Sequence, residues 1–410
     1  MLQALANLST FRSLGNRDWR ILWMAGHLWH LAFWMDLIVL GWLMLEITDS
    51  PFLVALVGTC RLIPMGVLGV LAGSLGDRLP KRKLLIIAQL LNLTVTVGFT
   101  VVLLLDFERV WLIYVIALLT GSAWSIDFPI RRAFIRDLLP ASTIVNAMAI
   151  DAASLVGMAL IGRVIGGGLL AASGPPLAYG FLVVCYALGL ILLLRVPEQT
   201  IEPSQSESSP SVLKDIVAGL SYVWRNPALR GILLVTVIIN FLVAPYFQLT
   251  PVFARDIFGV GPGLLGLISG MDGLGALIGA FVLASLTGLV RLGMVFAVGS
   301  LIFAVGVLLF SQTPTYQLAM PFLVLVGLGT SGFAAMQTTI TVTQADPEMR
   351  GRAMGAVALG IGVLPLGMAF VGGLAELMGA AEALGLTSLI GLGLIVMVLI
   401  FQPAVRGARQ

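Results

Sequence analysis

The stretch that decides the fold is Gly73-Ser-Leu75-Gly-Asp77-Arg78-Leu-Pro80-Lys81-Arg82-Lys83. It is polar and basic, and it lies between two apolar runs, over 52–75 and 83–105. Each run has about the 20 apolar residues that an α-helix needs to cross a bilayer. We therefore interpret the short charged stretch as the turn between two membrane-spanning helices.

The composition of the whole chain agrees with this interpretation. Of its 410 residues, 59% are hydrophobic and only 10% are charged, and the mean hydropathy is +1.04. A soluble domain has about 25% charged residues, because its surface faces water. The composition therefore excludes a soluble enzyme, a secreted disulfide scaffold and a disordered protein. The two cysteines, Cys60 and Cys185, lie in apolar runs and are expected to be small buried hydrophobic side chains.

Apolar windows between charge clusters and turn residues predict an all-α polytopic membrane protein with twelve spans. The long polar stretch over 197–210 follows the sixth span and has the composition of a linker. Apolar residues at helical spacing over 211–222 predict a short surface helix after it. We expect six-helix bundles over 1–195 and 230–410, joined by a cytoplasmic linker over 196–229. The predicted spans are 20–46, 52–75, 83–105, 110–130, 143–171, 177–195, 230–254, 262–287, 292–311, 316–340, 352–375 and 384–402.

The basic residues are distributed unevenly between the two ends of the predicted spans. With the N-terminus inside, 19 of the 23 Lys and Arg residues fall in cytoplasmic segments. Arg109 and Arg255 fall on the opposite side, and Arg61 and Arg163 lie within spans. Because basic residues accumulate on the cytoplasmic side, both termini are expected there, in a cell membrane. The cytoplasmic set is Arg12, Arg17, Arg20, Arg78, Lys81, Arg82, Lys83, Arg131, Arg132, Arg136, Arg195, Lys214, Arg225, Arg230, Arg291, Arg350, Arg352, Arg406 and Arg409.

Two segments half a chain apart are similar to each other. Residues 131–148 and 344–354 both pass from a polar span end through a proline turn, at Pro140 and Pro347, into an Ala-Met helix start. Parallel six-helix repeats place a substrate cavity near the membrane midplane, and rocking of one half against the other gives alternating access. This architecture predicts a transporter.

The stretch 73–83 resembles the loop 2–3 motif of the major facilitator superfamily, Gly-x-Leu-x-Asp-Arg-x-Gly-Arg-Lys, with Pro80 in place of the second glycine. With twelve spans and a central linker, the resemblance covers the whole chain. Finer features are similar to the transmembrane secretion effector branch, which contains siderophore exporters and macrolide-efflux-like proteins. This resemblance implies export driven by the proton gradient. The finer features are Leu62-Ile-Pro64, Asp127-Phe-Pro129-Ile-Arg131, Trp224-Arg-Asn-Pro227-Ala-Leu-Arg230 and Gly351-Arg352.

The same motif implies a cytoplasmic gate. A glycine at position 73 lets helices approach closely, and the carboxylate of Asp77 can cap a helix N-terminus or pair with an arginine. The basic side chains bind the anionic inner leaflet. Asp127 lies near Arg131 at the cytoplasmic end of the fourth span and is expected in a gate network. The predicted gate residues are Gly73, Asp77, Arg78, Lys81, Arg82, Asp127 and Arg131.

One position departs from the family pattern. The antiporter motif of the fifth span ends in Gly-Pro-x-x-Gly-Gly, whereas this chain has Gly-Arg-Val-Ile-Gly-Gly at 162–167. At about 1.5 Å of rise per residue, Arg163, Asp36 and Asp272 all lie roughly 13–15 Å below the outer face, near the midplane. A charge at that depth needs a partner or water. We expect Arg163 to pair alternately with the two carboxylates, so that protonation or substrate binding at one of them selects the open face. A permanent structural salt bridge is the alternative.

Several aromatic and polar residues within spans are candidates for the substrate cavity. Phe33 and Trp34 could stack on a flat amphipathic substrate, and His30 could relay protons with His27. Simple helix packing is the alternative for each of them. Because no cysteine or carboxylate cluster completes a site, neither a metal nor a cofactor is expected. The predicted cavity residues are His30, Phe33, Trp34, Asn240, Gln248 and Gln337.

The sequence thus favours a proton-coupled exporter of an amphipathic or apolar organic molecule, drug- or siderophore-like, that works as a monomer. Its expected partners are the small-molecule substrate, protons and the lipid bilayer, and no nucleic acid. A lipid or lysolipid mover, an uptake symporter and a non-transporting assembly or pigment-delivery factor of the same fold are the alternatives. The sequence contains no phosphate-binding Gly-x4-Gly-Lys-Ser/Thr loop, which argues against an ATP-driven pump. It shows no nucleophile–base pair, so no enzyme activity is expected.

Overall fold

Residues 9–198, 212–285 and 291–407 are described by the computed structural model, which leaves the side chains of 9–11, 67, 70–78 and 212–215 undescribed. Within these residues, ten helices are long and apolar enough to cross a membrane. One of them, Ala141–Leu194, comprises two spans, because Gly174 interrupts it with φ 74° and ψ 179°. The second span contains the shorter apolar helix Pro51–Gly66. The twelve-helix architecture predicted from the sequence is therefore confirmed, and no β-strand is found among these residues.

We number the spanning helices α1 to α12. Two of them are irregular: α7 contains π-helical stretches at Ile239–Val243 and Phe253–Ile257, and α11 is interrupted between Ile361 and Leu364. The helices are α1 Arg17–Thr48, α2 Pro51–Arg78, α3 Lys81–Leu104, α4 Val110–Leu138, α5 141–173, α6 175–194, α7 Pro227–Ile257, α8 Pro262–Ser285, α9 Leu292–Ser311, α10 Tyr316–Gln344, α11 Arg350–Met378 and α12 Ala380–Phe401.

Several helices extend beyond the spans that hydropathy predicts. The fourth span was predicted to end at 130, whereas α4 continues to Leu138, and α10 continues from 340 to Gln344. Hydropathy reports the part of a helix that fits the hydrocarbon core, whereas the backbone ladder can continue into the polar interface. The predicted surface helix is also present, at Val212–Arg225, and the predicted linker before it lies mostly outside the described residues.

The helices group into two compact units. The first comprises Met1–Thr48, Cys60–Gln205 and Pro262–Leu267, and the second Asp49–Thr59, Ser206–Gly261 and Ile268–Gln410. Each unit has its own apolar core. In the first, Trp19 of α1 packs with side chains of α3, α4 and α6, including Leu85, Phe134 and Leu193.

The core of the second unit includes the surface helix. Val223 of that helix packs with Leu229 and Leu233 of α7 and with Ala353 and Ala356 of α11. The helix therefore lies against the bundle rather than apart from it. Burial of these apolar side chains holds it there.

Glycines bring α5 into direct contact with α1. A Cβ at Gly162 would lie 2.6 Å from the backbone oxygen of Leu31, and one at Gly166 would lie 2.8 Å from the Cγ of Met35. Both are closer than a carbon atom can approach. Small residues permit this contact between backbones, which is how spanning helices gain van der Waals attraction without a hydrophobic driving force.

Candidate functional site

A buried ion pair joins two helices of the first unit. The Nη1 of Arg61, on α2, donates to the Oδ2 of Asp36, on α1, at 2.5 Å. The hydroxyl of Tyr179, on α6, donates to the Oδ1 of Asp36, also at 2.5 Å. All three residues are at least 98% buried. Both carboxylate oxygens are therefore engaged, by donors from two other helices.

The guanidinium of Arg61 is held by further groups. Its Nη2 donates to the backbone oxygen of Phe33 at 3.1 Å, and its Cζ lies 4.2 Å from the centre of the Phe33 ring. Gly121 lets α4 approach the backbone of α2 at Arg61, because a Cβ there would overlap the backbone oxygen of Arg61. The buried Nε of Arg61 has no hydrogen-bond partner among the residues described. Since a buried charge is costly unless it is fully paired, the carboxylate of Asp36 is essential to this arrangement.

Arg163 lies on α5 with its guanidinium over an aromatic ring. Its Cζ is 4.5 Å from the centre of the Trp34 ring, and the residue is 94% buried. Trp34 is adjacent in sequence to Phe33, and the two rings meet edge to face with their centres 5.4 Å apart. The guanidinium of Arg61 lies over the Phe33 ring in the same way. A cation over an aromatic face in a desolvated setting contributes about 2 kcal/mol. The arginine that replaces the family proline thus has a defined place in this unit.

A row of aromatic rings continues from Phe33 along α4. Phe33 stacks on Trp124 at 4.0 Å, and Trp124 stacks on Phe128 at 5.2 Å. The guanidinium of Arg132 lies 3.8 Å from the Phe128 ring centre, and His30 meets Trp124 edge to face at 5.9 Å. The row therefore has a cation at each end, Arg61 and Arg132, and it joins three of the predicted cavity residues to α4.

Several of the residues predicted for the gate form ion pairs and hydrogen bonds with one another or with neighbouring helices. Arg131 forms two parallel bonds with Asp127, from Nε at 2.8 Å and from Nη2 at 2.7 Å, and its Nη1 reaches the Leu22 oxygen of α1. Lys81 pairs with Asp137 at 2.5 Å, and Arg82 donates to the oxygens of Leu193 and Leu194 at the end of α6. These contacts connect the N-terminal ends of α1 and α3 to the C-terminal ends of α4 and α6. The side chains of Gly73, Asp77 and Arg78 lie outside the described residues.

The second unit contains its own polar groups. The hydroxyl of Tyr246 donates to the Oδ2 of Asp272 at 2.9 Å. The side-chain nitrogen of Gln337 donates to the hydroxyl of Thr236 at 2.6 Å. The side-chain nitrogen of Asn240 donates to the backbone oxygen of Thr236 at 2.9 Å. The nitrogen of Gln248 donates to the Val54 oxygen at 2.9 Å. Asn240 and Gln337 are thus brought together, whereas Asp272 and Gln248 each have separate partners.

Sequence reasoning singled out Asp36 but missed its two observed partners. It placed Arg61 within a span but assigned it no partner, whereas Arg61 is buried inside the unit and pairs with Asp36. Depth could have revealed this pair: Asp36 lies twelve residues before the end of α1 and Arg61 ten residues after the start of α2, so both are at a similar height. Tyr179 gave no signal, because a tyrosine in a span is commonly explained by packing. Among the described residues, no group of three His, Cys, Asp or Glu residues could hold a metal ion.

The family model of the transmembrane secretion effectors matches residues 8–408. The chain belongs to this family. Two relatives of this chain are the staphyloferrin A transporter of Staphylococcus aureus, 23% identical over 341 residues, and the enterobactin exporter EntS of Shigella flexneri, 27% identical over 326 residues. The first alignment covers 82% of this chain and 84% of the relative, and the second covers 79% and 76%.

Solved structures show that this chain has the major facilitator fold. A bacterial homologue of the human lysosomal transporter Spinster, inward-facing and unoccupied, matches with a TM-score of 0.72 at 15% identity, over 95% of this chain and 97% of the other. The peptide transporter POT in complex with sulfate matches with a TM-score of 0.76 at 12% identity, over 96% and 95%. Because it belongs to this family, the chain is a multi-pass membrane transporter and not an enzyme.

Proposed function

We propose that this transporter is a proton-coupled exporter of an amphipathic or apolar organic molecule, drug- or siderophore-like, that works by alternating access. The relatives named as the staphyloferrin A transporter and the enterobactin exporter support the siderophore-like class, and the second supports the outward direction. Identities of 23–27% support a shared class of substrate rather than one shared molecule.

The observation that carries proton coupling is the Asp36 carboxylate, buried in a spanning helix and bonded from two others. A proton on Asp36 removes its charge, and Arg61 then loses its counter-ion. Because an unpaired buried charge is costly, Arg61 must take a new partner or move toward water. Protonation would thereby change the contacts that hold α1 to α2 and α6, and this change is the proposed coupling step.

Arg163 is the proposed alternative partner for a carboxylate. It lies over the ring of Trp34, two residues from Asp36 along α1. Alternate pairing of Arg163 with Asp36 and with Asp272 stays a prediction. In the present conformation, the bonds of Asp36 go to Arg61 and Tyr179, and Asp272 accepts a bond from Tyr246.

The aromatic row suggests how the substrate is recognised. Flat conjugated groups stack on aromatic rings, and the cations at each end of the row would favour a substrate that carries oxygen acceptors or negative charge. We propose that His30, Phe33 and Trp34 contribute contacts from the first unit, and Asn240, Gln248 and Gln337 from the second. The protein is proposed to act as a monomer in the cell membrane, with both termini in the cytoplasm.

Transport by purified protein in proteoliposomes tests this function. Enterobactin and staphyloferrin A serve as probes, with an imposed pH gradient and a pH-sensitive dye inside the vesicles. We expect uphill substrate movement opposite in direction to the proton flow. Asp36→Asn should abolish the uphill movement but retain substrate exchange, whereas Asp106→Asn, an exposed aspartate after α3, should behave as the wild type.

Other outcomes would contradict the proposal in distinct ways. If both Asp36→Asn and Asp272→Asn retain full proton-driven transport, the coupling proposal is wrong. Movement of substrate and protons in the same direction would indicate an uptake symporter. Movement of a fluorescent lysolipid in place of either probe would indicate a lipid mover. Movement of none of them would favour a non-transporting role.

A further inference from the structure

An open groove of about 620 Å³ lies in the second unit, lined by residues of α8, α9 and α10 and by Arg291. Pockets that hold small organic ligands have volumes of about 300–1,000 Å³. The groove is too apolar for water to fill favourably, because its walls are mainly valine, leucine, isoleucine and methionine side chains. It contains none of the residues proposed above for substrate or proton coupling.

Glycines make the groove deep. Gly299 of α9 and Gly332 of α10 lie so close that a Cβ on Gly332 would be 3.2 Å from the Gly299 Cα, and a Cβ on Gly279 of α8 would overlap the Ser331 hydroxyl. Because these three residues have no side chains, the bottom of the groove is formed by the helix backbones. The walls, by contrast, are formed by larger side chains, and Val282, Met294 and Val298 are each 45% exposed. In a membrane-spanning protein, such exposed apolar side chains face lipid.

The charged group of the groove, Arg291, lies at one end of it. Ser331 is internally satisfied, because its hydroxyl donates to the Leu328 oxygen of its own helix at 2.8 Å. Arg291 is exposed and immediately precedes Leu292, the first residue of α9. The backbone N–H groups at the N-terminus of α9 carry partial positive charge, and the guanidinium of Arg291 adds a full positive charge beside them. The first turn of α9, over 292–295, contains no acidic residue that would neutralise this charge.

We propose that this groove binds an anionic glycerophospholipid, with one acyl chain along α9 and the phosphate at Arg291. From Arg291 to Ile302, the last groove residue of α9, the helix rises roughly 16 Å, which is about half the thickness of the hydrocarbon core. An acyl chain that starts at the interface therefore reaches the far end of the groove within one leaflet. A single cation near the membrane surface is worth about fivefold in affinity for an anionic headgroup.

Native mass spectrometry of the detergent-purified full-length protein tests the proposal. The protein is exchanged into phosphatidylglycerol or phosphatidylcholine with matched acyl chains, and bound lipid is counted. We expect the wild type to retain phosphatidylglycerol about fivefold more than phosphatidylcholine. Arg291→Gln should remove this preference, while Arg350→Gln, which changes an exposed arginine of the same unit outside the groove, should retain it.

A second variant tests the acyl-chain part of the groove. Val298→Trp should fill the groove and reduce retention of both lipids, whereas Leu309→Trp, at an exposed α9 position outside the groove, should not. Both positions already face the membrane, so folding should survive, and the thermal midpoint verifies this. The proposal is wrong if Arg291→Gln keeps the preference, if Val298→Trp keeps full retention, or if the wild type binds both lipids equally. A wild-type dimer that Val298→Trp dissociates would assign the groove to a second copy of the chain instead.

Discussion

Two ion pairs of the first unit differ mainly in burial. Asp36 and Arg61 have side chains 1–3% exposed, whereas the side chains of Lys81 and Asp137 are 23% and 34% exposed. An exposed pair gains little, because water screens its charges. A buried pair is weak as evidence for stability, but removal of one partner leaves an uncompensated charge in a low-dielectric environment. The same kind of substitution should therefore cost much more stability at the buried pair than at the exposed one.

Arg61→Met should lower the free energy of unfolding by about 3–5 kcal/mol, because it leaves the Asp36 carboxylate buried without its cation. Lys81→Met, the control at the exposed pair, should cost less than about 1 kcal/mol. The double variant Arg61→Met with Asp36→Asn should recover most of the loss. Unfolding in mild detergent at pH 8 measures all three. Equal losses for the two single variants would show that the Asp36–Arg61 pair is not electrostatically isolated from water.

At the scale of elements, close contact between α1 and α5 depends on individual glycines. Gly162→Ala places a methyl group against the Leu31 oxygen and should separate the two helices, with a loss of about 1–3 kcal/mol. Gly168→Ala changes the same helix at a position with open space around the Cβ and should not destabilise the protein. Thermal unfolding of the two variants side by side measures the difference. Similar midpoints would mean that α5 can shift away from α1 without cost.

The turn between α5 and α6 depends on one backbone conformation. Gly174 has φ 74° and ψ 179°, a combination that residues with a Cβ essentially do not adopt. Gly174→Ala should therefore cost about 1–3 kcal/mol, although nothing crowds this position except Pro176 at 3.8 Å. Gly180→Ala, in open space on α6, is the matched control. If Gly174→Ala unfolds at the wild-type midpoint, the break between the two spans tolerates an ordinary residue.

At the scale of the whole molecule, the distribution of basic residues predicts the orientation in the membrane. In a variant without Cys60 and Cys185, a cysteine is placed by Thr315→Cys, before α10, or by Arg225→Cys, before α7. A membrane-impermeant maleimide should label the first variant but not the second in intact cells, and both after permeabilisation. Labelling of Arg225→Cys in intact cells would reverse the proposed orientation.

The class of molecule, the number of spans and much of their placement could be predicted from the amino-acid sequence alone. The predicted ninth span, 292–311, coincides with α9, and the predicted break between 171 and 177 contains Gly174. These features are local: hydropathy depends on the side chains of one segment, and a helix satisfies its own backbone within that segment. The family could be predicted for the same reason, because its motifs are short and contiguous in the sequence.

The pairing of the buried charges, by contrast, could not be predicted before the helices were assembled. Asp36 lies 25 positions from Arg61 and 143 from Tyr179 in the sequence. The two bonds form only when α1, α2 and α6 pack with these three residues at the same height. Arg163 stood out in the sequence, but its position over Trp34 depends on the glycines that bring α5 to α1. The groove at Arg291 likewise exists only where three helices approach at glycines. Such contacts depend on packing between segments distant in sequence, and no local pattern of residues encodes that packing.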